Sequence, residues 1–200
     1  MPPPNTGTTL LLKILVEGVS GRTDVSLSVI DTRGIRGRAL LGFWRLLKVL
    51  ARTAKAARHT DVVTVHSASS GLHVLGPTVV MIARLLHKPV IVRKYGGTDV
   101  RKYGWLRRNL ILWACRSASL YLPETMGQVQ IAKELSIASV KWFPNNRLMK
   151  NVRGRTSAKA PGHGRFVFLG EVRREKGILH ILDACKRLGD DVTVDLYGKA

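Results

Sequence analysis

Three basic side chains lie in one short stretch of the sequence, directly before a glycine. Arg173, Arg174 and Lys176 precede Gly177, after which apolar residues recur at the spacing of one helix face. A helix N-terminus presents free N–H groups and a partial positive charge, so basic residues beside it suit a phosphate. The pattern predicts a phosphate site at residues 171–177, although solvated basic residues at the start of a surface helix give the same pattern.

The elements around this loop have the order of a βαβ unit. Residues 165–170 are β-branched and aromatic and end at Gly170, which is typical of a buried parallel strand. The helix after the loop ends at Gly189, and residues 192–197 predict the next strand. Ligands of such units bind beyond the carboxyl ends of the strands, where the basic loop lies.

These residues also carry a family resemblance. Read as F-x-G-x(5)-K-G, followed by an amphipathic helix and a strand that ends in Y-G, they resemble the second domain of the retaining, family-4-type glycosyltransferases of the GT-B architecture. The resemblance implies that Gly170, Lys176 and Gly177 help to bind the diphosphate of a nucleotide-sugar donor. Family members usually carry an Arg directly after the first Gly, where this chain has Glu171, so we expect Arg173 or Arg174 to supply that charge.

A second set of candidate residues follows the strands of the first domain. Two adjacent glycines, Gly96 and Gly97, come just after a predicted strand at 89–92 and let the backbone approach a ligand closely. The segment resembles the family's His-Gly-x-Asp, which lines the cleft between domains. Gly96 and Asp99 match, but Tyr95 stands in place of the His, so no role of that His carries over.

Two more residues belong to this cleft or acceptor-side set. His66 follows a predicted strand at 61–65 and opens a loop of small residues at 66–71. Gly7 ends a Pro-rich stretch before a predicted helix at 8–19, and it matches the glycine of the family loop that phosphates approach. An ordinary disordered terminus has the same composition as this stretch.

Strands and helices alternate along the rest of the first domain, which predicts an α/β fold with a Rossmann-like parallel sheet. The further predicted elements are strands at 25–31, 119–122 and 140–143, and helices at 38–59, 72–87, 105–116 and 126–135. Strand 140–143 ends at Pro144-Asn145-Asn146, which resembles the Pro-Asn-Gly that closes the family's first domain. We predict a first domain at 1–146, a basic linker at 147–164 and the beginning of a second Rossmann-like domain at 165–200.

The net charge of +20 arises almost entirely before residue 165 and predicts an anionic partner: nucleic acid, an acidic membrane surface or a phosphorylated substrate. Helix 38–59 contains no acidic residue and can rest on anionic lipid, although a solvated face has the same charge pattern. Its predicted apolar face is Phe43, Leu46, Leu47, Leu50, Ala54 and Ala57, and its basic stripe is Arg45, Lys48, Arg52 and Lys55. No helix-turn-helix, zinc ligand set or aromatic RNA platform supports nucleic-acid binding.

Cysteine usage and the N-terminus indicate the compartment. Cys115 and Cys185 fall on helices of different predicted domains, which argues against a disulfide and for a reducing environment. No apolar run approaches the roughly 20 residues that span a bilayer, and Met1 is not followed by a signal peptide. We expect a cytoplasmic protein, peripheral at the inner face of the membrane.

The expected function is transfer of a sugar from a nucleotide-sugar donor to a glycan or lipid-linked acceptor, in glycan or cell-envelope polysaccharide synthesis. The resemblance implies retention of configuration and no metal or other cofactor. The predicted first domain lacks a first strand, and residues 165–200 are too few to bury a core. We therefore expect an incomplete form that is inactive and poorly stable alone. A basic nucleic-acid-binding α/β protein and a non-catalytic fragment remain the alternatives.

Overall fold

The computed structural model describes residues 7–32, 39–96, 98–145 and 164–198. The chain divides into two compact units, residues 1–148 (unit 1) and residues 149–200 (unit 2). Each unit combines helices with a parallel sheet, which confirms the predicted α/β class. The domain boundaries at 146 and 164 stay predictions, and most of the linker lies outside the described residues.

Unit 1 is built around a three-stranded parallel sheet in the order β1-β2-β3. Its strands are β1 (Val63–Ala68), β2 (Val90–Tyr95) and β3 (Leu120–Pro123). Its helices are α1 (Gly7–Ser20), α2 (Ala39–Arg58), α3 (Ser69–Leu85), α4 (Trp105–Ser117) and α5 (Met126–Glu134), with a short 3₁₀ turn at Val100–Lys102. The central strand β2 is covered on both faces, because consecutive side chains from Val92 to Tyr95 are all buried.

The core of unit 1 lies where α3 packs against the sheet and against α4. Leu72, Val79, Val80 and Ala83 fall on one face of α3 and are buried, as are Ile111, Ala114 and Cys115 of α4. A Cβ atom on Gly76 would lie 3.1 Å from the Leu72 side chain and 3.2 Å from Ala114, so the two helices approach closely there. Sequence periodicity predicted both helices correctly.

The described part of unit 2, residues 164–198, contains two parallel strands and one long helix. They are β4 (Gly164–Leu169), α6 (Ile178–Leu188) and β5 (Val192–Tyr197), with 3₁₀ turns at Arg174–Lys176 and Gly189–Asp191. The predicted order of strand, loop, helix and strand is confirmed. The predicted burial of β4 is wrong, since Phe166, Val167 and Leu169 are exposed, whereas Ile178 of α6 is buried.

The predicted strand at 25–31 is wrong. Its residues have no regular secondary structure, and within the described ranges no strand pairs with them. Val25, Leu27 and Val29 are exposed. Alternating apolar residues can define a face, but a strand also needs a partner for its backbone N–H and C=O groups.

The predicted loop at 66–71 is also wrong, because β1 continues to Ala68 and α3 begins at Ser69. His66 and Ser67 pair in register with Arg93 and Lys94 of β2, which also extends beyond its predicted end at 92. Backbone pairing along the ladder continues irrespective of polar side chains, which the hydrophobic pattern of the sequence does not show.

Helix α2 buries a face that only partly matches the predicted one: Ala57 is buried as predicted, and Leu46, Leu50 and Ala54 are half-buried. Val49, Thr53 and Ala57 are buried, whereas Phe43 and Leu47 are exposed. The Thr53 hydroxyl donates to the carbonyl of Val49 at 2.8 Å, which satisfies its polar group within the helix. Across the described ranges, no helix is long and apolar enough to cross a membrane.

Leu72 tests the position of the core. We expect Leu72→Ala to lower the free energy of unfolding by about 2–5 kcal/mol, because it empties a fully buried site between α3 and α4. Leu85→Ala on the same helix is the matched control: Leu85 is 72% exposed and its truncation should cost no more than about 0.5 kcal/mol. Urea unfolding followed by circular dichroism measures both, and equal losses would contradict the assigned core.

Candidate functional site

The carboxyl ends of β1 and β2 bring the predicted cleft residue His66 together with Tyr95, which was not among the predicted site residues. His66 Nδ1 lies 3.1 Å from the Tyr95 hydroxyl, and the two ring centroids are 6.0 Å apart. The Arg93 guanidinium lies over the Tyr95 ring at 4.7 Å and over the Phe143 ring at 4.2 Å. Parallel strands carry these residues to one edge of the sheet, which is where ligands of doubly wound folds bind.

Burial sets the charge state of His66. Loss of hydration, followed by the nearby positive charge of Arg93, lowers the pKa of His66 from 6.5 to about 4. The imidazole is therefore neutral at neutral pH and can both donate and accept one hydrogen bond. Burial likewise raises the pKa of Tyr95, which keeps its hydroxyl protonated.

Lys94 is buried on the opposite face of β2 and holds the loop that follows the strand. Its ammonium group donates to the carbonyls of Gly96 and Thr98, both at 2.9 Å. Burial lowers the pKa of Lys94, but no carboxylate binds it directly at hydrogen-bond distance among the described residues. Gly96 has φ of +84°, a left-handed conformation that favours glycine.

Glu124, which sequence reasoning missed, ties three loops together at this edge. One carboxylate oxygen accepts from the backbone N–H of Gly96 at 2.6 Å, and the other accepts from the Asn145 amide. The Glu124 carbonyl accepts from the Trp142 ring N–H at 3.1 Å. The sequence position of Glu124 could have identified it as a candidate, because it directly follows β3 and the carboxyl ends of parallel strands meet at one edge of the sheet.

Gln128 completes this arrangement from the first turn of α5. Its side-chain oxygen accepts from the Glu124 backbone N–H at 3.1 Å, and its NH₂ group donates to the Gly96 carbonyl. Gln128 is buried, so these bonds fix both loops in the interior. The backbone of Gly96 is thereby held by Lys94, Glu124 and Gln128.

The remaining first-domain candidates have other surroundings. The Asp99 carboxylate accepts from the backbone N–H and from the guanidinium of Arg101, both at 2.8 Å. The side-chain bond to Arg101 chiefly lowers the pKa of Asp99. Gly7 is the first residue of α1, Gly97 and Asn146 lie outside the described residues, and a ligand role for any of them stays a prediction.

In unit 2, two glycines shape the end of the parallel strand pair. The Gly170 N–H donates to the Tyr197 carbonyl at 2.9 Å. A Cβ atom on Gly198 would lie 1.7 Å from the Gly170 carbonyl oxygen, so no side chain fits there. This close contact explains why glycine follows Tyr197 at the end of β5. It also lies at Gly170, where the basic loop begins.

The basic loop of unit 2 leads directly into the N-terminus of α6. Lys176 ends a 3₁₀ turn, and Gly177 follows with φ of +81°. The Ile181 N–H donates to the Gly177 carbonyl at 3.0 Å, so the N–H groups of residues 178–180 precede the first α-helical bond. These N–H groups and the helix dipole favour an anion at this end.

The cations of the loop differ in their partners. Arg173 lies 3.4 Å from the Glu171 carboxylate, and both side chains are more than half exposed. Arg174 and Lys176 are exposed, and neither forms an ion pair within the described part of unit 2. Three cations and one helix N-terminus can therefore bind a phosphate or diphosphate.

The depressed pKa of His66 predicts a pH dependence of stability. The unfolded chain takes up a proton at His66 as pH falls through about 6.5, whereas the folded chain resists protonation until about 4. We expect up to about 3 kcal/mol of unfolding free energy to be lost across this window. Urea unfolding at a series of pH values measures this loss. Between about pH 7 and 4.5, the free energy of unfolding of His66→Gln should fall by less than that of the parent chain, by about this amount. Parallel pH curves for the two proteins would contradict the lowered pKa of His66.

Comparison with known proteins gives structural matches without sequence matches. No family model matches the chain, and no curated protein matches it. Crystal structures of Anabaena HepE have a similar fold. The complex with UDP and glucose has 14% sequence identity and a TM-score of 0.64, and the match covers 100% of this chain and 60% of the HepE chain. The complex with UDP has 13% identity and a TM-score of 0.65, and the match covers 100% of this chain and 59% of the HepE chain. The complex with UDP-glucose has 13% identity and a TM-score of 0.63, and the match covers 100% of this chain and 59% of the HepE chain.

This chain spans about 60% of the length of the HepE chain. At 13–14% identity, the likeness concerns the fold alone. It confirms that the chain has an α/β fold of Rossmann-like type with parallel sheets.

Proposed function

We propose that this chain is a glycosyltransferase of the family-4 type with GT-B architecture, and that it takes its sugar from a nucleotide-sugar donor. The observation that carries the proposal is the basic loop of unit 2, where Lys176 and Gly177 lead into the N-terminus of α6. The fold supports it, since HepE has a similar fold and was crystallised with UDP and with UDP-glucose.

The donor diphosphate is the group that this loop suits best. A diphosphate carries several acceptor oxygens, which the N–H groups of residues 178–180 and the ammonium of Lys176 can bind together. Arg173 and Arg174 lie within the same loop, and Arg174 is free of ion pairs with other described residues of unit 2. Gly170 and Gly177 allow the backbone to approach the phosphates without a side chain in between.

Catalysis in this proposal depends on stabilising the leaving group. Cleavage of the bond between the anomeric carbon and the diphosphate oxygen leaves an additional negative charge on the nucleoside diphosphate. Lys176 and the α6 N-terminus stabilise that charge in the transition state. Transfer with retention and without a bound metal follows from the resemblance and belongs to the same proposal.

We assign acceptor binding to unit 1. The neutral imidazole of His66 and the Tyr95 hydroxyl provide hydrogen-bonding groups for sugar hydroxyls at the carboxyl edge of the sheet, beside the loop that begins at Gly96. Gly7, Gly97 and Asp99 remain in this acceptor set as predictions. A glycan or lipid-linked acceptor on the cytoplasmic side of a membrane follows from the resemblance and belongs to the same proposal.

Lys176→Ala tests the donor site directly. We expect it to weaken UDP-glucose binding by about 1–3 kcal/mol, the value of a charge-assisted hydrogen bond, in isothermal titration calorimetry. Lys186→Ala is the matched control, because Lys186 is an exposed lysine in the last turn of the same helix. Its affinity should equal that of the parent chain.

Other results would contradict the proposal. Equal affinities for Lys176→Ala and the parent chain would remove Lys176 from the donor site. If UDP, ADP, GDP and their glucose conjugates all failed to bind the folded parent chain, the nucleotide-sugar proposal itself would be wrong.

A further inference from the structure

Helix α2 presents large apolar side chains to solvent. Phe43 is 55% exposed, Trp44 57% and Leu47 38%. The Phe43 and Trp44 rings contact each other edge to face, with centroids 6.2 Å apart and planes at 69°. In a soluble protein such adjacent exposed residues mark an interaction surface.

Basic side chains lie beside this apolar group on the same helix. At about 100° per residue, Trp44 and Leu47 lie on one side of the exposed arc, and Lys48, Arg52 and Lys55 occupy the adjoining side. The buried residues Val49, Thr53 and Ala57 lie on the opposite side, against unit 1. The exposed half of α2 therefore contains an apolar stripe next to a basic stripe.

No acidic residue within the helix itself offsets its positive charge. The sequence contains no Asp or Glu from residue 33 to residue 60. Arg52, Lys55 and His59 also line a shallow groove together with Ser28 and Ile30. An anionic headgroup fits a groove with this lining better than a neutral one does.

We propose that α2 docks unit 1 onto the surface of an anionic lipid bilayer. Phe43, Trp44 and Leu47 enter the boundary between headgroups and acyl chains, while Lys48, Arg52 and Lys55 contact lipid phosphates. Aromatic rings, Trp above all, favour this boundary because one end of the ring system is apolar and the other is polar. The inference depends on α2 alone and is independent of what unit 2 binds.

The apolar stripe distinguishes a bilayer from nucleic acid. Phosphate backbones attract the same lysines and arginines, but they offer nothing apolar for Leu47 and Phe43 to enter. A bilayer uses both stripes, so removal of either should weaken binding. Nucleic-acid binding would depend mainly on the basic stripe.

Flotation of the whole chain with phosphatidylcholine vesicles, with and without phosphatidylglycerol, tests the proposal. We expect binding only to the anionic vesicles at about 0.1 M salt, and weaker binding as salt rises. The variant Lys48→Gln/Arg52→Gln/Lys55→Gln should bind about 100-fold more weakly. The variant Phe43→Ser/Trp44→Ser/Leu47→Ser should bind the anionic vesicles more weakly by on the order of tenfold or more. Circular dichroism should show that both variants are folded, since all six substituted side chains are exposed.

Trp105→Ser/Leu106→Ser is the control for non-specific adsorption. Trp105 and Leu106 are 78% and 64% exposed at the start of α4, a different element of unit 1 from α2. This variant should bind anionic vesicles as the parent chain does. Equal binding to neutral vesicles, or equal loss in the α4 control, would overturn the proposal. The proposal would also be overturned if the chain did not float with vesicles but bound duplex DNA tightly, and if the apolar substitutions left that DNA binding unchanged.

Discussion

Two consecutive cations buried in the central strand of unit 1 determine much of its candidate site. Arg93 and Lys94 are 3% and 1% exposed, and they point to opposite faces of β2. A buried charge is costly unless polar groups surround it. Lys94 therefore binds the carbonyls of Gly96 and Thr98. Arg93 lies between two aromatic rings and within 3.4 Å of the Pro144 carbonyl. The contacts of Lys94 and those of Arg93 therefore each hold a segment of the backbone at the carboxyl edge of the sheet.

The two candidate sites are consequently built in different ways. In unit 1, hydrogen bonds of the Lys94, Glu124 and Gln128 side chains hold the backbone at Gly96, so the loop beside His66 and Tyr95 has a fixed conformation. In unit 2, conformation depends on glycines, since Gly177 requires a positive φ and Gly198 excludes a side chain. Its cations are exposed and act through charge. The first arrangement suits selective hydrogen bonding of hydroxyls, whereas the second suits attraction of a diphosphate.

The sequence predicted most of the fold because local patterns determine it. Helical periodicity identified all six long helices of the described ranges within a few residues, and the strand-loop-helix order of unit 2 was correct. The strand at 25–31 failed because its pattern cannot show whether a pairing partner exists. The buried face of α2 was misassigned in part, since Phe43 and Leu47 are apolar yet exposed. The Glu124 contacts join positions 28 and 21 residues away along the chain, and no local pattern reports such contacts.

In the proposed function, the loop at 171–177 and the start of α6 bind the diphosphate of the donor. Backbone amide chemical shifts of the isotope-labelled chain, followed by NMR during titration with UDP, test it most directly. We expect the largest changes at residues 178–180, whose N–H groups precede the first bond of α6, and at the adjoining Lys176 and Gly177. Saturable changes confined to unit 1, with residues 171–180 unaffected, would contradict it.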